Sequence, residues 1–278
     1  MNKAKIIILA GQSNAVGVAH TEYLSRHFIG EKIEKFKEGY DGVLMNYYSH
    51  DMKSNGFVKT TLGCAEKGKD TFGPEVGIAD FLSEKYPDEK FFVVKSAVGG
   101  TNLFYDWLPP SCKGEYQKES FGMGDTESKF YRKGGWCFNE LVKVLAESIS
   151  ILKNQGYEPE IYAFCWMQGE SDAFETDTVE KYGERYKNLL KDLNEAFGKY
   201  MKNCVYVDAG ISEMWPYYRE INSWKEKHAK NTPNSFYIDT IAEGLVTLKE
   251  PEGEVDAAHY DSDCTIKLGY LFSEKIKL

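Results

Sequence analysis

The sequence lacks long apolar runs and lacks an excess of positive charge. No hydrophobic stretch approaches the roughly 20 residues that a membrane-spanning helix needs, so we expect no membrane segment. The 34 lysines and arginines are outnumbered by 43 aspartates and glutamates, which gives a formal net charge of -9. Because a negative protein repels polyanions, neither nucleic acid nor an anionic membrane surface is expected as a partner.

Patterns typical of metal sites and disulfide frameworks are also missing. The six cysteines are scattered without a CxxC pair or a Cys/His cluster at zinc spacing. We therefore expect no metal site, and Cys165 and Cys204 are predicted to be small buried hydrophobic residues inside strands. The apolar stretch at 6–10 is shorter than the roughly 7–15 residues of a signal-peptide core. A cytoplasmic location is expected, or a secreted one if a signal peptide has been removed.

What the sequence does contain is an alternation of strand-like and helix-like segments. Short apolar runs at 5–10, 91–97, 161–167 and 205–209 are typical of strands buried on both faces of a parallel sheet. Helical spacing follows Gly73-Pro74 and recurs at 137–154, 179–199 and 262–276. The alternation predicts a three-layer α/β/α sandwich with a mainly parallel sheet, formed by a single domain over 1–278.

Two long segments, 20–71 and 108–135, show little clean periodicity. Irregular segments of this length in a compact domain are usually functional or mobile. We interpret the first as an excursion over the active-site edge of the sheet. Both segments are placed to frame a substrate cleft.

The first candidate for chemistry is Ser13, in Gly11-Gln12-Ser13-Asn14 directly after the first predicted strand. Active sites of parallel α/β sheets form at the carboxyl ends of the strands. A serine at such a strand tip can present its hydroxyl beside backbone N–H groups, as a nucleophile requires. The alternative is an ordinary strand-to-helix turn in which serine or asparagine caps the helix.

The second candidate is His259, in Asp256-Ala257-Ala258-His259 before the last predicted helix. A carboxylate three residues earlier can hold one ring nitrogen, so that the other nitrogen accepts the serine proton. The alternative is a polar cluster at a helix start. The other histidines lack such a carboxylate in their sequence contexts, and solvated surface positions are predicted for all four: His20, His27, His50 and His228.

Further candidates follow two interior strands. Gly99 and Gly100 let backbone N–H groups approach an oxyanion closely, although a tight turn would also explain them. Gln168 supplies a neutral amide donor, and Glu170 supplies an acid near the same edge of the sheet. Alternatively, Glu170 and Asp172 cap the next helix.

These motifs occur along the chain in the order serine, Gly-Gly, Gln-Gly-Glu and Asp-x-x-His. With this order the sequence resembles the SGNH/GDSL hydrolase superfamily, and within it the sialate O-acetylesterase and acetylxylan esterase group called carbohydrate esterase family six. The resemblance spans almost the whole chain and is carried by GQSN at 11–14, FGPE at 72–75, GGT at 99–101, WMQGESD at 166–172 and DAAH at 256–259. It implies a flavodoxin-like α/β/α fold.

The resemblance also implies roles for individual residues. Ser13 is the implied nucleophile, His259 the general base and Asp256 the orienting acid. The implied oxyanion hole combines the Ser13 N–H with a glycine N–H, from Gly99 or Gly100, and an amide side chain. That amide is Gln168 here, where the wider superfamily has asparagine. Glu170 is left open, because it either competes with Asp256 for His259 or holds the loop and the substrate.

The expected function is a serine esterase that removes O-acetyl groups from carbohydrates through an acyl-serine, without metal or cofactor. The expected partner is an acetylated sugar, of the sialic acid or xylan type, and the oligomeric state is left open. One alternative is a glycosidase using Glu170 and Asp172, but acids two residues apart are poorly placed to face each other across roughly 5–10 Å. The other is a non-catalytic carbohydrate-binding protein on the same fold.

Overall fold

The computed structural model describes residues 2–49, 52–65, 70–112, 119–120 and 132–278. The strands, in chain order, are β1 (Lys3–Gly11), β2 (Ala19–His20), β3 (Tyr40–Ser49), β4 (Met52–Lys53), β5 (Val58–Thr60), β6 (Thr71–Phe72), β7 (Phe91–Ala97), β8 (Glu119–Ser120), β9 (Arg132–Lys133), β10 (Glu158–Met167), β11 (Val205–Ala209) and β12 (Ser235–Ile238). The helices are α1 (Ser13–Val16), α2 (Glu31–Glu38), α3 (Pro74–Lys85), α4 (Trp136–Asn154), α5 (Thr176–Phe197), α6 (Tyr218–Asn231) and α7 (Ser262–Glu274).

An eight-stranded sheet forms the centre of the fold, in the order β12-β11-β10-β1-β7-β3-β4, with β5 also paired to β3. All neighbours from β12 to β3 are parallel, and only β4 and β5 add antiparallel pairs. The carboxyl ends of β1, β7 and β10 therefore meet at one edge, where the candidate residues lie.

Helices cover the sheet because their apolar stripes need burial. Helix α3 packs on α7 and on β3, whereas α4 packs on β7 and β10 and contacts α5. Apolar residues of these helices join the strands in one core; examples are Leu82, Leu145 and Leu268, each 0% exposed. The predicted three-layer α/β/α class with a mainly parallel sheet is confirmed.

The interpretation of 20–71 as an excursion over the active-site edge was wrong. This segment contains β3, a full strand of the main sheet, and α2. The strand YDGVLMNYYS escaped recognition because polar residues interrupt its apolar pattern: Asp41 is exposed, whereas Asn46 and Ser49 are buried. The second segment, 108–135, falls mostly on 113–118 and 121–131, outside the described residues, so its interpretation stays a prediction.

Cysteine burial follows the prediction from the strand-like runs. Cys165 is 0% exposed and Cys204 is 2% exposed, and all six cysteines are free thiols. Burial raises the pKa of Cys165 and raises that of Cys204 to about 12, so both thiols stay protonated at neutral pH. Within the described part of the chain, no helix is both long and apolar enough to cross a membrane.

Candidate active site

The turn that carries Ser13 is fixed between the ends of two neighbouring strands. The Gln12 N–H donates to the Met167 carbonyl over 2.9 Å, and the Val98 N–H donates to the Gly11 carbonyl over 3.1 Å. Ser13 is then the first residue of the one-turn helix α1 and is 8% exposed. A first-turn N–H has no partner inside its helix, so the Ser13 amide is available to an oxyanion.

Gly11 is required by the close approach of β1 to β10. Its φ is +144°, and a Cβ built on it would lie 1.9 Å from the Met167 carbonyl oxygen. Relief of that overlap must displace backbone, because no flexible side chain is involved. The turn that carries Ser13 therefore depends on a glycine at this position.

We predict that Gly11→Ala lowers the thermal midpoint by about 10 °C or prevents folding, since backbone clashes of this kind cost several kcal/mol. Gly198→Ala is the matched control, because Gly198 has an ordinary φ of -54° and its added Cβ meets nothing closer than 4.0 Å. Thermal unfolding followed by circular dichroism compares the two. Equal midpoints would refute the steric account.

Asp256 and His259 are brought together as their spacing predicted. The Asp256 Oδ2 atom lies 2.6 Å from His259 Nδ1, and Asp256 Oδ1 accepts the Ala258 N–H over 3.1 Å. The His259 side chain is 23% exposed. A carboxylate on Nδ1 favours the tautomer whose Nε2 can accept a proton.

Asn14 connects the loop that carries His259 to the turn that carries Ser13. Its Oδ1 accepts the Tyr260 N–H over 3.0 Å, and its Nδ2 donates to the Ala258 carbonyl over 3.2 Å. Those two backbone groups flank His259 on either side. Because Asn14 follows Ser13 directly, its side chain fixes the position of the histidine loop relative to the serine.

Glu170 contacts Asn14, and within the described part of the chain it makes no hydrogen bond to the imidazole. Its Oε1 accepts the Asn14 Nδ2 hydrogen over 2.9 Å, and its side chain is 1% exposed. Burial raises the pKa of Glu170, and the hydrogen bond from Asn14 opposes that rise. Of the two acids considered for His259, Asp256 contacts the imidazole directly. Glu170 contacts Asn14, which in turn binds the backbone on both sides of His259.

We predict that Asn14→Ala lowers kcat about 100-fold with little change in KM, because a displacement near 1 Å at a catalytic group costs that much. Steady-state kinetics on 4-nitrophenyl acetate measure the effect. Asn203→Ala is the matched control, since Asn203 also donates to a glutamate, Glu160, but at the surface. Equal kinetics for the two variants would show that the Asn14 contacts do not position His259.

The Gln168 amide, predicted to serve the oxyanion hole, already contacts acceptors within the protein. Its Nε2 contacts three oxygen atoms, Asp172 Oδ2 at 2.5 Å, the Thr101 carbonyl at 3.1 Å and Gln12 Oε1 at 3.3 Å. Only acceptors surround this nitrogen, so the amide orientation is fixed and both hydrogens are engaged. These contacts join the segments that follow β1, β7 and β10, and the oxyanion role of Gln168 stays a prediction.

Gly99 and Gly100 remain candidates for the glycine donor. They follow β7 in a turn closed by the Thr101 hydroxyl, which donates to the Val98 carbonyl over 2.7 Å. Gly100 has φ of +69°, a conformation that favours glycine. Neither N–H donates to another backbone group in the described ranges, so both remain available to an oxyanion.

A buried ion pair that the sequence analysis missed lies at the end of helix α1, which begins at Ser13. Lys95 and Glu75 are both 0% exposed, and the Lys95 ammonium donates to Glu75 Oε2 over 2.8 Å and to the Val16 carbonyl over 2.5 Å. A cation at the last carbonyl of α1 is favourably placed for the helix dipole. The signal was a lysine inside the apolar run FFVVKSA, since a charge buried in a strand must be paired.

Among the other histidines, His27 is exposed as predicted, whereas His228 is only half-exposed. The His27 ring also lies 3.4 Å from Glu250 Oε1 and 3.7 Å from Asp263 Oδ2, two acids that its local sequence did not indicate. Both acids are more than 200 residues away in sequence. His228 stacks on Trp224 with ring centroids 4.9 Å apart, and burial lowers its pKa. His50 lies outside the described residues.

The parallel sheet carries Ser13 just after its first strand, and the Asp256–His259 pair is tied to that turn through Asn14. The chain belongs to the family described as carbohydrate esterase, sialic acid-specific acetylesterase, which matches residues 3–277. It is accordingly a carbohydrate esterase. No curated protein sequence matches the chain.

Solved structures share the fold at low sequence identity. A protein from Arabidopsis thaliana is 19% identical with a TM-score of 0.64, over 98% of this chain and 97% of that one. The crystal structure of NanS is 13% identical with a TM-score of 0.68, over 99% of this chain and 97% of that one. A carbohydrate acetylesterase from Xanthomonas citri is 13% identical with a TM-score of 0.60, over 98% of this chain and 55% of that one.

Proposed function

We propose that the protein is a serine O-acetylesterase that removes acetyl groups from carbohydrates through an acyl-serine intermediate. The observation that carries the proposal is the pair of contacts around His259. Asp256 lies 2.6 Å from its Nδ1, and Asn14 bonds both backbone neighbours of the histidine. The Asp256 contact favours the His259 tautomer in which Nε2 can accept a proton. The Asn14 contacts connect the loop that carries His259 to Ser13, the residue before Asn14.

In the proposed mechanism His259 Nε2 accepts the Ser13 proton as the hydroxyl oxygen attacks the acetyl carbonyl carbon. The Ser13 N–H and a glycine N–H after β7 stabilise the oxyanion. When the oxyanion collapses, the bond to the sugar oxygen breaks and His259 protonates the departing hydroxyl. Water, deprotonated by the same histidine, then attacks the acyl-serine and releases acetate.

The glycosidase alternative is not favoured by the positions of its two acids. Glu170 accepts a hydrogen bond from the Asn14 amide. Asp172 accepts hydrogen bonds from the Leu103 N–H, over 2.9 Å, and from the Gln168 amide. Their exposed fractions are 1% and 0%, and burial raises the pKa of Asp172 to about 7. Both carboxylates are therefore buried and engaged by protein groups, which does not favour their use as a glycosidase pair.

Acetate release from acetylated xylo-oligosaccharides and from O-acetylated sialic acid tests the proposal directly. We expect hydrolysis of at least one of these substrates, at a rate that EDTA leaves unchanged, since the proposed chemistry needs no metal. Heat-denatured protein gives the background rate. Binding of both sugars without acetate release would instead support the non-catalytic alternative.

A further inference from the structure

A cleft of about 450 Å³ is formed by the segments that follow β7 and β10. Its lining includes Gly100, Asn102, Tyr105, Ser171, Phe174 and Glu175. One contact joins this lining to the turn that carries Ser13, because the Ser171 N–H donates over 3.1 Å to the side chain of Gln12, the residue before Ser13. A substrate whose ester lies at Ser13 would extend into this cleft.

Phe174 is an exposed aromatic ring on a rigid support. Its side chain is 46% exposed, although the ring packs edge-on against Trp215 with centroids 5.1 Å apart at 77°. The short 3₁₀ turn Asp172–Phe174 is anchored where Asp172 accepts the Leu103 N–H. A fixed, exposed aromatic face in a polar cleft suits the C–H face of a sugar ring.

The groups around Phe174 suit hydroxyls and oppose a negative charge. Asn102 and Ser171 are half-exposed polar residues on the cleft, and Glu175 adds an exposed carboxylate. A carboxylate can accept hydrogen bonds from sugar hydroxyls but repels an anionic sugar. Among the described residues that line the cleft there is no lysine or arginine to offset that charge.

We propose that this cleft is the subsite for the sugar ring of an uncharged O-acetylated carbohydrate, with Phe174 as its stacking platform. The inference rests on the proposed esterase function and narrows its substrate. The family description names sialic acid, which carries a carboxylate, whereas the charge of this cleft favours a neutral pyranose. Phe174 and Glu175 are therefore specificity-determining residues.

The test compares kcat/KM on acetylated xylo-oligosaccharide with kcat/KM on 4-nitrophenyl acetate, which has no sugar ring. Phe174→Ala should lower the ratio of the two about tenfold or more, since losing the burial of one aromatic face against a ligand costs that much affinity. Phe174→Tyr should restore the ratio. Ile29→Ala, at a residue 84% exposed, is the control for loss of a surface apolar group. A ratio for Phe174→Ala within twofold of the unaltered protein would overturn the proposal.

Charge selection and ring binding are measured separately. Glu175→Gln should raise kcat/KM on O-acetylated sialic acid, relative to the neutral substrate, by about twofold to fivefold, the range of an exposed charge. Binding of unacetylated xylotetraose to Ser13→Ala protein, followed by Trp fluorescence, should be lost in Ser13→Ala/Phe174→Ala. This measurement decides the subsite even if no acetate is released, so failure of the esterase function and failure of the subsite are distinguishable. Binding unaffected by Phe174→Ala, or a preference for the anionic sugar, would contradict the inference.

Discussion

Ser13→Ala is expected to lower kcat/KM on 4-nitrophenyl acetate by about 10⁴-fold or more, because a triad without its nucleophile loses covalent catalysis altogether. The fold should persist, since Ser13 sits at the start of a one-turn helix and loses only a hydroxyl. Circular dichroism and the thermal midpoint of the variant test whether it is folded. Ser25→Ala, at an exposed serine, is the matched control. Activity retained by Ser13→Ala would place the nucleophile elsewhere.

Asp256→Asn should lower kcat by about 10⁴-fold while KM stays within a few-fold, because an amide favours the wrong imidazole tautomer and offers no charge to the imidazolium. The direct contact of 2.6 Å between Asp256 and His259 Nδ1 motivates this expectation.

The comparison variant for Asp256→Asn is Glu170→Gln. It keeps an oxygen that can accept the Asn14 Nδ2 hydrogen, which now donates to Glu170 over 2.9 Å. Its kcat should therefore stay within about tenfold of the unaltered value, as for a neutral replacement of one hydrogen bond. The reverse outcome, with Glu170→Gln nearly inactive and Asp256→Asn nearly normal, would reassign the orienting acid to Glu170.

The strands at the centre of the sheet could be predicted because burial on both faces produces continuous apolar runs. Residues 6–10 of β1 are all 0% exposed, and the runs at 91–97, 161–167 and 205–209 were likewise located. The outer strands β3 and β12 were missed. Polar residues interrupt the pattern of β3, and β12 has four residues of which three are partly exposed, so neither strand forms the continuous apolar run of a central strand.

The same contrast applies to the candidate site. Asp256 and His259 are three residues apart, so their pairing could be read from spacing. Asn14 finds its partners in Glu170 and in the backbone on both sides of His259, 156 to 246 residues along the chain. Such contacts depend on which strands become neighbours, and the sequence showed only that polar residues follow several strand ends. The engagement of Gln168 by three acceptors was hidden for the same reason.

Covalent labelling by a fluorophosphonate, mapped by mass spectrometry, tests the proposed mechanism most directly. Such probes react with a serine only when a nearby base activates it. The proposed mechanism predicts one adduct on the peptide containing Ser13, absent in Ser13→Ala and formed far more slowly in Asp256→Asn. An adduct on another residue, or a folded protein that hydrolyses 4-nitrophenyl acetate without reacting with the probe, would contradict it.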